Sequence, residues 1–343
     1  MPVMTTARNT SATRALAALA ASFLALSFLA LAVQTSARAN APNTGCAGAY
    51  RWPVKPFDKA HPVRANFGDP RTRFTGPNTI DTLLESDGTF SFHQGVDISA
   101  PDGEPVYAVA SGTVVRARGG RVTVNCGNGR SFQYWHVHPA VRVGQHAVAG
   151  ETVVGFIQPE REHVHLTHLE RNRAVNPLAP GHLAPYRDAT VPVVTEVSLR
   201  SAAEGHVDFV VEAFDMPALS VPGRWHGFPV TPALVTWRIE RGGRVLIAKR
   251  VVRDVRRSVP KNDRFWDNFA RGTHQNWPIF GGRKLQFTTG RYVFELSMQP
   301  SDTRKLRNGA YELVVTAADT AGNRSERRLR IDIRNSRLSL SGS

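Results

Sequence analysis

Cysteine is nearly absent: the 343 residues contain two, Cys46 and Cys126, so one disulfide at most can form. In an oxidising compartment an even pair is expected to join, which would tie the segment near the N-terminus to a strand further along. Acidic residues are also few, 28 against 43 Lys and Arg, giving a formal net charge of +15. A surplus of this size usually signals a nucleic-acid partner. The first 39 residues contain no acid at all and read differently. Arg8 and Arg14 precede a run from Ala15 to Val33 of alanine, leucine, phenylalanine, valine and two serines, followed by Ala37-Arg38-Ala39. Positive, apolar, then small is the order of a secretory signal peptide with an Ala-x-Ala cleavage site. We expect residues 1–39 to be such a signal and the protein to be secreted, extracellular or periplasmic, in the cell envelope. The run approaches the ~20 residues that span a bilayer, so membrane contact is expected only if the segment stays uncleaved as an anchor. Cys46 follows Asn43-Thr44-Gly45 and lacks the apolar residue that normally precedes a lipid-modified cysteine. Removing the three arginines of the signal leaves +12 on the mature chain. An exported chain of that charge meets anionic wall polymers before nucleic acid, so a wall polymer is an expected partner and nucleic acid is not.

Against these scarcities stands a concentration of histidine. His136-Val137-His138 and His163-Val164-His165 lie 27 positions apart, both downstream of His93-Gln94-Gly95-Val96-Asp97. A catalytic Zn²⁺ takes three protein ligands from His and Asp or Glu, at roughly 2.0–2.2 Å, and keeps a fourth position open. His93, Asp97 and one histidine of the later pair fill that set. The remaining histidines suit proton transfer, since an unperturbed imidazole titrates nearest neutrality. His163 and His165 are two apart, so on a strand they point the same way. His93 and Asp97 are four apart, but Gly95, Val96 and Ile98 followed by Pro101-Asp102-Gly103 argue against a helix; the spacing predicts a loop feeding a short strand. His168, three after His165, should face away on a strand. His138 competes with His136 because it shares a strand face with it, although Pro139 should end that strand.

These residues resemble the lysostaphin-like (LytM-type) zinc endopeptidases that act on peptidoglycan. The resemblance runs through His93-x-Gly95-x-Asp97, Ile98-Ser99-Ala100-Pro101, Ser111-Gly112-Thr113-Val114-Val115, Gly127-Asn128-Gly129, Tyr134-Trp135-His136, Gly150-Glu151-Thr152, His163-x-His165 and Val175-Asn176-Pro177-Leu178, about a third of the chain. It implies His93, Asp97 and His165 as ligands of one zinc ion. It implies His136 and His163 as the catalytic pair that deprotonates water and stabilises the oxyanion, with a peptidoglycan peptide as substrate. Cys126 and Thr167-His168 depart from the family's usual residues, outside those five positions. The alternative is a non-catalytic wall-binding or regulatory protein on the same fold; such relatives generally lose ligands, whereas all five residues are present.

The expected fold class is all-β. Residues 40–60 read as a linker. From 61 to 187 we expect an antiparallel β metallopeptidase domain of the duplicated hybrid motif type with a substrate groove. Gly112–Ala117, Arg121–Asn125 and Ser131–His136 read as strands, with turns at Gly119-Gly120 and Gly127-Asn128-Gly129. The stretch Arg71–Phe92 reads as a loop-rich insert forming a groove wall. From 190 to 335, seven segments with period-two alternation argue for an immunoglobulin-like β-sandwich: Val191–Leu199, Val207–Ala213, Ala233–Glu240, Val245–Val252, Tyr292–Met298, Tyr311–Ala317 and Arg327–Ile333. Residues 336–343 read as a disordered tail. Within the second region Arg238–Arg271 carries 11 basic and four acidic residues plus Trp266, a candidate face for an anionic or sugar-containing polymer.

Overall fold

Short strands with one apolar and one polar side organise the computed structural model, which describes residues 48–85, 87–203, 206–286, 288–296 and 305–335. The expected signal peptide, the tail and Cys46, with its disulfide, lie outside the described residues. Among those residues no helix is long and apolar enough to cross a membrane. The strands are β1 (Val63–Ala65), β2 (Pro70–Phe74), β3 (Gly88–Phe92), β4 (Val96–Ser99), β5 (Pro105–Tyr107), β6 (Gly112–Arg118), β7 (Arg121–Gly127), β8 (Arg130–Trp135), β9 (Val137–Pro139), β10 (His146–Ala147), β11 (Val153–Ile157), β12 (His163–Glu170) and β13 (Arg173–Val175). β14 (Val193–Ala203), β15 (His206–Phe214), β16 (Leu234–Arg241), β17 (Arg244–Asp254), β18 (Ile279–Phe280), β19 (Arg283–Lys284), β20 (Val293–Glu295), β21 (Gly309–Ala318) and β22 (Arg324–Ile333) follow.

The first region is built on a mainly antiparallel sheet in the order β1-β4-β12-β8-β7-β6-β10, with β13 paired to β12, and a smaller sheet β5-β11-β9. Period-two alternation divides its central strands cleanly. Val96 and Ile98 of β4, Phe132 and Tyr134 of β8, and Val164 and Leu166 of β12 all point into one core and are fully buried. Their alternates, Asp97, Trp135, His163 and His165, share the opposite face. Gly119 and Gly120 supply φ of 61° and 69° for the two-residue turn between β6 and β7, a left-handed conformation that only glycine adopts without steric cost.

Two expectations need correction here. Residues 48–60 are no free linker, because Tyr50, Trp52 and Val54 are buried in the first core and Trp52 Nε1 donates to the Pro185 carbonyl at 2.7 Å. The stretch 71–92 is also more ordered than a loop: β2 and β3 pair antiparallel, with a short helix α1 (Ile80–Glu85) between them.

Each of the seven segments expected in the second region overlaps a strand. They form two sheets, β14-β15-β20 and β17-β16-β21-β22, whose inner side chains, among them Val211, Phe294, Trp237 and Val315, share a second core. The two regions are joined: β18 pairs in parallel with β2, and Phe92 belongs to the second core. The basic stretch 238–271 is only partly a surface. Arg253 is buried, donating to the carbonyls of Gly68 and Pro232 at 2.7 and 3.1 Å, and Trp266 packs edge-on against Phe90.

Asp188, Asp215 and Asp319 bring one carboxylate oxygen each within 4.8 Å of one another. Burial, reinforced by the other two charges, pushes Asp215 up to about 7. The unfolded chain releases this proton near pH 4, while the folded chain holds it until about pH 7. Stability therefore falls as pH rises through that window. Asp215→Asn is expected to raise the Tm by about 2–5 °C at pH 8 in chelator, and not at pH 4; equal melting of the two proteins at pH 8 by circular dichroism would refute this.

Candidate metal centre and active site

Sheet register, more than sequence proximity, assembles the site. Asp97 of β4 sits directly across from His165 of β12, which sits across from Trp135 of β8. His93 arrives on the loop before β4, as the sequence predicts. Its backbone N–H donates to the Asp69 carbonyl and its carbonyl accepts from Gly68, both at 2.8 Å. That turn is itself pinned from the second region, since Thr231 donates to Asp69 Oδ1 through both its N–H and its hydroxyl.

Three donor atoms converge. His93 Nε2 lies 3.1 Å from Asp97 Oδ1 and 2.8 Å from His165 Nδ1, and the latter is 3.0 Å from the same carboxylate oxygen. The partners on their outer sides indicate what these atoms carry. His93 Nδ1 must donate its proton to the Asn66 carbonyl, 2.8 Å away, which leaves a lone pair on Nε2. His165 Nε2, 2.8 Å from Thr167 Oγ1, is assigned as the donor there, which leaves a lone pair on Nδ1. Three lone pairs, one on an anion, thus face one another in a buried place, an arrangement that repels itself unless a cation lies among them. The triangle fits one: a point ~2.1 Å from all three atoms stands only ~1.2 Å above their plane, with its outer side open for a further ligand. The donor set can therefore hold a divalent metal.

His163, on the same face, has Nε2 3.6 Å from Asp97 Oδ1. Its Nδ1 lies between Arg64 Nη2 and the Arg161 carbonyl, 2.6 Å from each. One tautomer accepts from the arginine and keeps a proton on Nε2; the other donates to the carbonyl and keeps a lone pair there. His136 stands outside β8 in a left-handed conformation, φ 65°, and this turns its ring to within 4.6 Å of that of His163. The turn also separates it from His138, which is exposed on β9, so the shared strand face expected for these two does not exist. His168 faces away as expected, buried against Phe132 and Tyr50.

The electrostatics keep the imidazoles neutral. Burial is the main cause in each case: it lowers His93 to about 3, with the charge of Arg71 adding to it, and His136 to about 4. His163 is held well below its ordinary value by burial, against the pull of Asp97. Burial would raise Asp97, but the imidazoles of His93 and His163 outweigh it and keep the carboxyl well below the usual range. At neutral pH the group is one carboxylate among uncharged rings, the protonation a metal requires of its ligands. Arg71 Nη2 holds the carboxylate's outer oxygen at 3.0 Å. Arg64, Arg71, Asn66 and Thr167 were not singled out in the sequence, where nothing local marks them.

Gly95 belongs to the site for a steric reason. A Cβ there would lie 2.4 Å from the Leu166 carbonyl oxygen and 2.7 Å from His165 Nε2. Gly95→Ala is expected to cost about 1–3 kcal/mol and to loosen metal binding by displacing His165; unchanged Tm and metal content would contradict this.

An open groove of about 750 Å³ runs past the centre, with Ser91, Gln94, Arg121, Gln133, Trp135 and Asn172 among its walls. Ser91 and Phe92 come from the hairpin of residues 71–92, so that stretch lines the groove as expected.

Residues 91–177 match the model of peptidase family M23. A search of the curated proteins returns no match. Solved structures give partial likenesses. A zinc-containing peptidase from Vibrio cholerae is 23% identical over 38% of this chain and 39% of its own, with a TM-score of 0.30. The SpoIIQ–SpoIIIAH pore-forming complex is 23% identical over 38% and 89%, TM-score 0.28. The deep-sea M23 metalloprotease Pseudoalterin is 15% identical over 60% and 98%, TM-score 0.27. The chain thus spans well under two thirds of the first of these. With the motif residues in order along the matched segment, the chain carries a peptidase domain of family M23, of the lysostaphin-like (LytM) type.

Proposed function

We propose that this protein is a secreted zinc metalloendopeptidase that hydrolyses peptide bonds in peptidoglycan stems or cross-bridges, with His93, Asp97 and His165 as the metal ligands. The observation that carries the reading is the convergence of His93 Nε2, Asp97 Oδ1 and His165 Nδ1 beside two further neutral imidazoles. Two nitrogens and one carboxylate oxygen form a donor set that suits Zn²⁺ better than Ca²⁺ or Mg²⁺, which favour oxygen. A bound Zn²⁺ would supply Lewis acidity, polarising the scissile carbonyl and lowering the pKa of water towards neutrality.

The chain's own residues do the rest. The groove fixes an extended peptide beside the ligands. His136 and His163, uncharged at pH 7, are ready to take the proton released as water attacks. When His163 carries its proton on Nε2, that N–H points towards Asp97 Oδ1 and the centre, as oxyanion stabilisation requires. Arg64 and the Arg161 carbonyl hold the His163 ring in place.

The test is mass spectrometry of fragments released from purified peptidoglycan by protein as isolated, by chelated protein, and after zinc is restored. New amino termini that disappear with chelator and return with zinc are expected. Sacculi that bind the protein but yield no new amino groups would instead favour the non-catalytic reading.

A further inference from the structure

The centre opens on a second, more enclosed hollow besides the groove. This cavity of about 190 Å³ meets the groove at Arg71, Asp97 and His136. It has room for about six waters, and hence for one side chain or chain end rather than for a continuing peptide. Most of its far wall comes from the second region.

Its charge is one-sided. Arg64, Arg71, Arg161, Arg224 and Lys284 all line it, against Asp69, Asp97 and Glu160. Most of that acidity is already engaged: Asp97 faces the three-donor centre and Arg71, and Asp69 accepts from Thr231 and Asn66. Arg224 pairs with Glu162, but among the described residues neither Arg161 nor Lys284 has a carboxylate partner within 4.0 Å. The cations feel one another: besides burial, Arg64, Arg224, Arg161 and Arg71 all lower the pKa of Lys284. Arg64 is itself buried, its guanidinium 4.0 Å from the Trp225 ring. Trp225 stacks on Trp277 at 4.2 Å, and Lys284 lies 4.8 Å from the Trp277 ring. Rigid aromatic walls around surplus positive charge in a concave, partly desolvated site make an anion receptor.

The geometry points to this cavity as a subsite for a substrate carboxylate, seated on one side of the scissile bond and held by Lys284 and Arg161. The inference rests on the peptidase reading and narrows it to peptides bearing a free carboxylate next to the bond cut. It also gives the second region a role, since Arg224, Trp225, Trp277 and Lys284 all come from it.

Muropeptides with free carboxyls, and the same material amidated with carbodiimide and ammonia, test the idea on the zinc-loaded full chain. The free form is expected to be cleaved with kcat/KM about tenfold higher or more, as loss of a charge-assisted contact implies. Lys284→Gln, an exposed position, should shrink that ratio at least threefold, mainly through KM. Equal cleavage of the two forms by the wild type, or an unchanged ratio in the variant, overturns the inference. If neither form is cleaved, the peptidase reading fails first, and tryptophan fluorescence titrations with the same two ligands still decide. Tighter binding of the free form, weakened by Lys284→Gln, supports the subsite, and equal binding overturns it.

Discussion

Replacing Asp97 with alanine is expected to empty the metal centre: zinc measured by atomic emission should fall from about one per chain to under a tenth, with peptidase activity lost alongside. Asp97 Oδ1 lies within 3.1 Å of both His93 Nε2 and His165 Nδ1, so it is the only anion in the triangle. Without it a dication would have two neutral donors and Arg71 nearby with no carboxylate to hold. Asp97→Asn separates charge from shape: it keeps the size but removes the anion and should also lose metal, retaining more if any. Each lost ligand or its supporting contact typically lowers affinity 10-fold to 100-fold or more. Full zinc occupancy and unimpaired cell-wall lysis in the alanine variant would show that the ligands have been misassigned.

The second large effect concerns turnover with the metal in place. His163→Ala and His136→Ala should each reduce kcat by about 10²–10³ while zinc content stays near one per chain. Neither ring belongs to the three-atom triangle, and their centroids are 4.6 Å apart, so they act on one reacting centre. The double variant should then lose far less than the product of the two single losses, as groups that work as a unit do. His163→Ala also removes a partner of buried Arg64. His163→Gln therefore serves as a control: it keeps a polar group there but cannot accept a proton at neutral pH. Loss of zinc in either single variant, or turnover close to wild type, would exclude the assigned roles.

Much of the catalytic strand could be read locally. His163 and His165 point the same way because strands alternate, and His168 points away for the same reason. The glycines of Gly119-Gly120 and Gly127-Asn128-Gly129 mark turns because left-handed backbone favours them. The seven segments of the second region announce themselves by alternation. His136 was found by its motif but misplaced, since a non-glycine residue at φ 65° leaves no mark in composition. The stretch 71–92, rich in Gly, Pro and Asn, reads as loop because its order comes from pairing with β18, about 200 residues away. Tyr50, Trp52 and Val54 were passed over for a like reason, being too few to show a period before the chain folds back on them.

By itself the sequence determined the chemistry on offer: which side chains can hold a metal, which can move protons, and that the scaffold is β. Only the tertiary structure decided where these meet. Register between β4, β12 and β8, strands far apart in the chain, sets Asp97 across from His165, and a turn braced by Thr231 and Arg253 presents His93. Long-range packing likewise gathers Arg64, Arg161 and Lys284 around one cavity. Local propensity acts over a few residues, whereas charge and lone pairs act across a gap of a few ångströms whatever the distance along the chain.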